Sequence, residues 1–595
     1  MRIHVAHDAP ATRPALRLVL AEFRPHRRVA LLACAGVALM TSSLVLIPLV
    51  VKLVIDRGVL GRSTGWVFGC TAVGAVLVAG QVLGNWIEVA NMGKFAERYL
   101  RDLRGSLMDH LYELDLDYFT HEPAGRLVSR LTSDVENLQQ FVQAGMSLVL
   151  RAVLVLTFTL ALMLTQSVKL TLAVLSILPL LAAASAWYRP RAFAVQMRIR
   201  ETMATLLTHV NESLVGMRVV QAFAIEDEQH DVFQDVSFDA FDTKRRSGVV
   251  AAVYYSTVEF LVPVALAILI GFGSYLVADD NLSVGVVIAF SLYINRLFEP
   301  IQQFTELTSL LQAAGASFAR VFEFRALQPK VVDRPGAFDF VAGRGEICFD
   351  RVSFRYGDDA PNALDAVDLA IAPCERVAVV GTSGAGKSTF AKLVARFYDA
   401  TEGRVLIDGQ NLRDVTGPSL RRHVIVVPQE GFLFDGTVAD NVSVSRPEAS
   451  RADIELACET MGLAGRIAAI PGGLDAVVAN RGLTLSSGQR QLVALARAFL
   501  AEPLVIVLDE ATSNLDPATD VLVEAAMHTL LAGRTSIVIA HRINTAVRAD
   551  RVLVFEHGVI VEDGAPADLE AIEGGAFARW VAATRDASVT PEPVE

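Results

Sequence analysis

The chain has 595 residues, of which 52 % are apolar and 20 % charged, and carries a formal net charge of −12. That length exceeds what one hydrophobic core organises, so at least two domains are expected. The acidic balance excludes a nucleic-acid binder, which needs a basic footprint, and the apolar excess places part of the chain in lipid.

Residues 1–28 are polar and basic, and the apolar run after them is too long for a signal-peptide core. No cleavable leader is therefore expected. A helix needs about 20 apolar residues to cross a bilayer. Six runs meet or approach that length: 29–51, 66–87, 141–168, 170–188, 249–278 and 282–304. Arg151 interrupts the third, Glu259 the fifth, and Arg296 with Glu299 the sixth. Basic residues set the orientation. Arg24, Arg27 and Arg28 precede the first run. Lys94, Arg98, Arg101, Arg104, Arg126 and Arg130 lie between the second and third. Arg189, Arg191, Arg198, Arg200, Lys244, Arg245 and Arg246 lie between the fourth and fifth. The opposite loops are short, and 279–281 has no basic residue. Both termini therefore face the cytosol, with Arg57 and Arg62 as minor exceptions outside.

Two features of this half call for structure beyond the spans. Met92, Phe95, Tyr99, Leu103, Leu107, Leu111 and Leu114 recur every three or four residues, which is the apolar stripe of a helix. The second span is thus expected to run on for ~25 residues, or ~40 Å, into the cytosol, until Pro123-Ala124-Gly125 breaks it. Glu259 and Arg296 lie at similar depths, which differ by only ~7 Å of helical rise. A structural ion pair between them is the expected arrangement, with a substrate contact as the alternative. Arg151 either snorkels or lines a cavity. Cys34, Cys70, Cys348, Cys374 and Cys458 form no CxxC pair and no metal spacing, and read as free thiols.

Composition changes near 328–345, where Pro, Gly, Asp and Lys replace apolar runs, as in a linker. Strands and helices alternate after it, as in an α/β domain. Gly381-Thr382-Ser383-Gly384-Ala385-Gly386-Lys387-Ser388 follows a β-branched run, 377–380, and precedes an amphipathic helix, Thr389 to Tyr398. In that context the glycines let backbone amides wrap phosphates at a helix N-terminus. Lys387 can reach the β- and γ-phosphates, and the Ser388 hydroxyl can ligate Mg²⁺. A second buried strand, 504–508, ends in Asp509-Glu510. Acids at that edge lie where ligands bind in parallel sheets. Asp509 can hold Mg²⁺ through water, and Glu510 can orient or deprotonate the attacking water; a plain helix N-cap is the alternative. A third strand, 536–540, ends in His541, either a γ-phosphate contact or a loop histidine. Gln429 follows the strand 424–427 and either senses Mg²⁺ and the lytic water or caps a turn.

These motifs resemble those of ABC-type nucleotide-binding domains over roughly residues 344–583. Leu485-Ser486-Ser487-Gly488-Gln489 matches the family's signature loop, Ser513-Asn514-Leu515-Asp516 its D-loop, His541 its histidine switch and Gln429 its Q-loop. Tyr356 matches the aromatic that stacks on adenine. The first half resembles the six-span membrane domain of ABC exporters. Tyr118-Phe119, Gly125, Leu127, Ser129-Arg130 and Asp134-Val135 look like the first coupling region, and 211–220 like the second.

The resemblance implies an α-helical transmembrane bundle followed by an α/β P-loop ATPase domain. The expected map is 1–327 membrane domain, 328–343 linker, 344–583 ATP-binding domain and 584–595 polar tail. ATP and Mg²⁺ are the implied cofactors, with Ser388, Gln429 and Asp509 at the metal. Thr389 joins the nucleotide site, and Ser486, Ser487, Gly488 and Gln489 contact nucleotide from the other side. In the family each ATP is sandwiched between two subunits, so a second half-transporter is implied. The third signature position, usually Gly, is Ser487, and the usual Gly-Glu-Arg-Gly is Ala479-Asn480-Arg481-Gly482. Those departures favour a heterodimer over a homodimer. The reading is a multi-pass cell (inner) membrane exporter of an amphipathic substrate, with siderophore import on the same fold as the alternative. Direction and substrate are not legible in these motifs.

Overall fold

The structure, a computed structural model, describes residues 26–279, 282–357, 359–429, 431–468, 470–479, 482, 485–509, 517–540 and 542–589. It parts into two compact units: Met1–Tyr112 with Ala124–Leu327, and Glu113–Pro123 with Gln328–Glu595.

Among the described residues of the first unit, five helices are long and apolar enough to cross a membrane: Arg27–Val59, Thr64–Glu113, Ala124–Gln166, Val168–Val215 and Glu226–Ala278. A sixth, Val284–Gln302, has 19 residues and packs among them; its Phe290 and Tyr293 are fully buried. They join Val45, Leu170, Tyr254 and Leu269 in the core of this unit. The second helix has 50 residues, about 75 Å at helical rise, against about 30 Å of hydrocarbon. Much of it therefore lies outside lipid. Its expected stripe is real: Met92, Phe95, Tyr99, Leu103 and Leu107 are all buried. Close backbone approach joins the first two spans. A Cβ on Gly84 would stand 2.5 Å from the Met40 amide nitrogen, the kind of contact small residues permit between membrane helices.

Three expectations of this unit are corrected. The second helix stops at Glu113, ten residues before Pro123. The cause is Asp115, whose extended backbone (φ −81°, ψ 168°) lets its carboxylate cap a new short helix, Leu116–His121, at the Tyr118 amide. Pro123 instead precedes the next helix, which starts at Ala124, the place where a residue without an N–H does no harm. The Glu259–Arg296 pair does not form. Glu259 is exposed, and Arg296 meets Glu299 one turn along its own helix at 3.4 Å. The buried pair lies elsewhere: Arg151 donates to both carboxylate oxygens of Glu88, at 2.9 and 3.1 Å. Glu88 is 3 % exposed. Arg151 is thus neither snorkelling nor simply facing a cavity.

The second cytosolic turn forms at Gly216, where a seven-residue helix, Met217–Phe223, follows the long one. Ala224, in the left-handed region at φ 52°, ends it.

Among its described residues the second unit holds twelve strands: β1 Ile347–Phe354, β2 Leu364–Ile371, β3 Arg376–Gly381, β4 Glu402–Ile407, β5 Gln410–Asn411, β6 Val424–Val427, β7 Gly436–Thr437, β8 Val477–Val478, β9 Val505–Asp509, β10 Thr535–Ile539, β11 Arg551–Glu556 and β12 Val559–Gly564. The large sheet runs β12-β11-β3-β10-β9-β6, and a second runs β2-β1-β4-β5. Strands β11, β3, β10, β9 and β6 pair in parallel, so their ends share one edge. Val377–Val380 are buried, as an inner parallel strand requires. Besides a smaller cluster around Val380, Val554 and Phe577, two large apolar clusters fill this unit. One packs the sheets around Phe349, Phe390 and Phe555; the other packs helices around Leu492, Leu495 and Val442.

The stretch expected to be a linker is docked. The Asp408 carboxylate accepts amides from Gly343, Arg344, Gly345 and Glu346 at 2.8 to 3.1 Å. Gln410 exchanges two hydrogen bonds with the Val341 backbone. At the other end, the helix Ala576–Val589 runs past residue 583 into the expected tail.

Candidate functional site

The phosphate loop follows from the end of β3. A chain leaving a buried parallel strand and entering a helix at once must turn through left-handed backbone. Gly381 and Gly386 supply it, at φ 146° and 106°. Neither tolerates a side chain: a Cβ would lie 2.2 Å from the Phe555 carbonyl oxygen and 2.6 Å from that of Ala363. The helix Lys387–Val394 then begins, and its first-turn amides have no intrahelical acceptor. Lys387 is buried, and its Nζ donates to the carbonyls of Gly381 and Thr382 at 2.7 and 2.8 Å. The cation is thus held inside the loop it belongs to. Thr382, Ser383, Gly384 and Ser388 are exposed at the loop surface, and Ala385 is buried beneath it. This is a cradle of amides, hydroxyls and one fixed cation, the donor set a polyphosphate requires.

Two further predicted residues fall along the same sheet edge. Asp509, half-buried, is the last residue of β9 and pairs with Ile539 of β10. Gln429, exposed, comes two residues after β6, whose Val427 pairs with Leu508. Glu510, His541 and the Ser513–Asp516 stretch lie outside the described residues. Chain connection puts Glu510 directly after Asp509, and His541 directly after Ala540, whose amide donates to Val379 at 3.0 Å.

Tyr356 is half-buried. Its hydroxyl is 2.9 Å from Thr389 Oγ1 in the phosphate-loop helix. Its ring lies edge-on to Tyr398 at 5.3 Å, and Lys392 Nζ stands 5.7 Å from its centre. The helix expected to reach Tyr398 stops at Val394, and sequence reasoning missed the contact of Tyr398, because nothing in the spacing of a tyrosine foretells which ring it meets.

The signature residues occupy the N-terminus of another helix, Ser487–Leu500. Ser486 caps it: its Oγ accepts the Gln489 amide at 3.2 Å, and Gln489 Oε1 accepts the Ser486 amide at 2.8 Å. Such a box contributes roughly 0.5–2 kcal/mol. Ser487 is exposed and Gly488 buried. Arg490 fixes the preceding loop by donating to Leu485 O at 2.8 Å. The signature helix belongs to the helical cluster around Leu492, whereas the phosphate-loop helix belongs to the sheet cluster around Phe390.

The membrane unit contains a cavity of about 910 Å³, with Leu156, Leu181, Tyr188, Arg189, Tyr254 and Gln312 in its wall. Tyr188 and Tyr254 stack at 4.1 Å with planes 10° apart, and Tyr254 Oη meets Ser185 Oγ at 3.2 Å.

A phosphate loop on a parallel sheet, fused to helices of membrane-crossing length, defines a membrane-bound nucleoside-triphosphatase. Known proteins narrow the class. Residues 31–301 match the family model for the ABC transporter transmembrane region, and residues 364–513 that for the ABC transporter. The chain is 33 % identical over 567 residues to an uncharacterized ABC transporter ATP-binding protein of Bacillus subtilis, YknV, covering 95 % of this chain and 94 % of that protein. It is 32 % identical over 569 residues to the ATP-dependent lipid A-core flippase of Thiobacillus denitrificans, covering 95 % and 98 %. A bacterial Atm1-family ABC exporter solved with ATP bound superposes with TM-score 0.77 at 26 % identity, covering 96 % of this chain and 99 % of that one. The chain belongs to the ABC transporter family. It is a half-transporter of the exporter type, an ATPase coupled to transport, with its ATPase domain in the cytosol.

Proposed function

We propose that two half-transporters bind ATP between the phosphate loop of one and the signature helix of the other, and export an amphipathic substrate across the cell (inner) membrane. The observation that carries this is the split of the nucleotide contacts between two hydrophobic clusters of the same unit, with Ser486 and Ser487 exposed at the start of the signature helix. Amides at Ser487 and Gly488 are free of intrahelical partners and suit a γ-phosphate from a second chain.

Within one site the roles divide as follows. Gly381–Thr389 and Lys387 bind the phosphates, and Tyr356 offers a ring for adenine. Glu510 orients the attacking water and accepts its proton, assisted by Gln429 and His541. Ser388, Asp509 and Gln429 form an oxygen donor set of the hard kind that Mg²⁺ takes; when bound, the ion neutralises phosphate charge. ATP binding favours the closed pair only through its stronger affinity for that state. The membrane cavity, apolar with Arg189 and Gln312 in its wall, suits a ligand with one greasy and one polar end. The names of two relatives, a putative multidrug export protein and a lipid A-core flippase, fit such a substrate.

Lys387→Ala is expected to weaken ATP binding roughly 10–100-fold, the loss of one hydrogen bond to a charged group. Titration with a fluorescent ATP analogue measures it, and unchanged affinity would remove Lys387 from the phosphates.

We further infer a heterodimer, supported by the departures at Ser487 and Ala479. The reason is side-chain bulk and not backbone conformation: Ser487 is the first residue of a right-handed helix and is not among the positive-φ residues. The partner is a half-transporter whose signature loop carries Gly at this place. Expressed alone, the chain is expected to hydrolyse ATP slowly, and co-expression with such a partner to raise turnover. Brisk, cooperative hydrolysis by a stable dimer of this chain alone would establish a homodimer.

A further inference from the structure

The short helix Leu116–His121, with its flanks, belongs by its contacts to the nucleotide-binding unit, although in sequence it interrupts the membrane unit. Two carboxylates grip one residue there. Lys330 Nζ bonds Asp117 Oδ2 at 2.6 Å, and the Lys330 amide donates to Asp115 Oδ2. Asp117 is only 8 % exposed, so its charge is poorly served by water. Its other oxygen lies 3.4 Å from His121 Nδ1.

Lys330 opens the stretch that docks along this unit. Two residues on, Val332 O and Asp333 Oδ1 accept from the Arg396 guanidinium at 3.2 and 3.1 Å. Arg396 is 3 % exposed and sits at φ 49°, two residues past the end of the phosphate-loop helix. Beyond Asp333 the stretch stays pinned: the Phe338 amide donates to the Asp414 carbonyl at 3.1 Å and the Phe338 carbonyl accepts from the Thr416 amide at 2.9 Å, and Asp408 holds residues 343–346. A slack linker would absorb displacement; this one has no slack to do so.

Tyr398 adds a second contact at the same place. It is buried, edge-on to Tyr356, and Thr120 stands beside its hydroxyl. Burial, with Asp117 and Asp115 nearby, pushes that hydroxyl up to about 12.

We propose that Lys330 is a positioning residue: it fastens the Leu116–His121 helix to a strap, residues 330–346, that Arg396 ties to the end of the phosphate-loop helix, so that nucleotide binding moves that helix. The contacts form a continuous physical network from phosphate loop to coupling segment. Among the described residues, the polar contacts of the Lys330 side chain and amide go to Asp117 and Asp115 and not to the phosphate loop. The inference rests on the exporter reading for the use made of the motion, but the motion itself can be read without transport.

The test is hydrogen exchange of peptides covering 113–123 in the full-length transporter in nanodiscs, with and without a non-hydrolysable ATP analogue. Binding of the fluorescent ATP analogue is measured alongside. The wild type is expected to show nucleotide-dependent protection of these peptides. Lys330→Met is expected to cut that dependence about fivefold, the scale of a partly exposed ion pair, while analogue affinity stays unchanged. Lys330→Arg should keep the dependence, and Lys330→Asp with Asp117→Lys should restore what either reversal alone removes. Full nucleotide dependence in Lys330→Met overturns the proposal. So does a change of exchange that is equal with and without nucleotide and is not rescued by the double reversal, since that marks a purely structural contact. Failure of sealed vesicles to export, with the exchange response intact, would count against the exporter reading and leave the clasp standing.

Discussion

Glu510→Gln is expected to bind ATP with nearly wild-type affinity and to hydrolyse it roughly 10²–10⁴-fold more slowly, the usual contribution of a general base. The geometry behind this is the end of β9. Asp509 closes that strand, pairing with Ile539 on one side, while its neighbour Leu508 pairs with Val427, two residues before Gln429, on the other. Glu510 lies outside the described residues but follows Asp509 directly in the chain, at the edge of a parallel sheet where ligands bind and where a base would meet the water attacking a γ-phosphate. Gln keeps the size and one acceptor oxygen but cannot take a proton. ATP contacts through Lys387 and the loop amides are left as they were. Single-turnover hydrolysis together with analogue binding separates the two effects. Near wild-type turnover in Glu510→Gln would move the base elsewhere.

The second large effect is expected in the membrane unit. Glu88→Gln or Arg151→Met alone should destabilise the protein by about 3–5 kcal/mol, because each strands a charge among helices. Glu88 is almost fully buried, and Arg151 reaches both its oxygens. Arg151 keeps 29 % of its side chain exposed, so the lower end of that range is expected for Glu88→Gln. The double substitution should cost clearly less than the sum of the two singles. Glu259→Gln with Arg296→Met is the control, and additivity is expected there, because Arg296 pairs with Glu299 instead. Denaturation of the detergent-solubilised protein, for each single and each double variant, measures both cycles. Additive losses at Glu88 and Arg151 would reject the pair.

Local patterns in the sequence specified the local structure. Runs of about twenty apolar residues became helices, and the three-and-four spacing from Met92 to Leu107 became a buried stripe, because period and length are properties of neighbouring residues. The phosphate loop was equally legible. Its glycines are demanded by the turn from β3 into the next helix, and that turn is completed within eight residues. Tertiary structure decided whatever joins residues far apart. Depth along two helices suggested Glu259 with Arg296, but depth says nothing of which face a side chain occupies; the fold brought Arg151 to Glu88, 63 positions away. Composition suggested a free linker from 328 onward, because Gly and Pro weaken local order. The carboxylate of Asp408 and the guanidinium of Arg396, each more than sixty residues distant, hold it instead. The same holds for the helix after Asp115: the residue that caps it is local and readable, whereas the lysine that fastens it lies 213 positions further on. Hydrogen bonds and ion pairs form between groups that packing brings within about 3 Å, and sequence spacing carries no record of that distance.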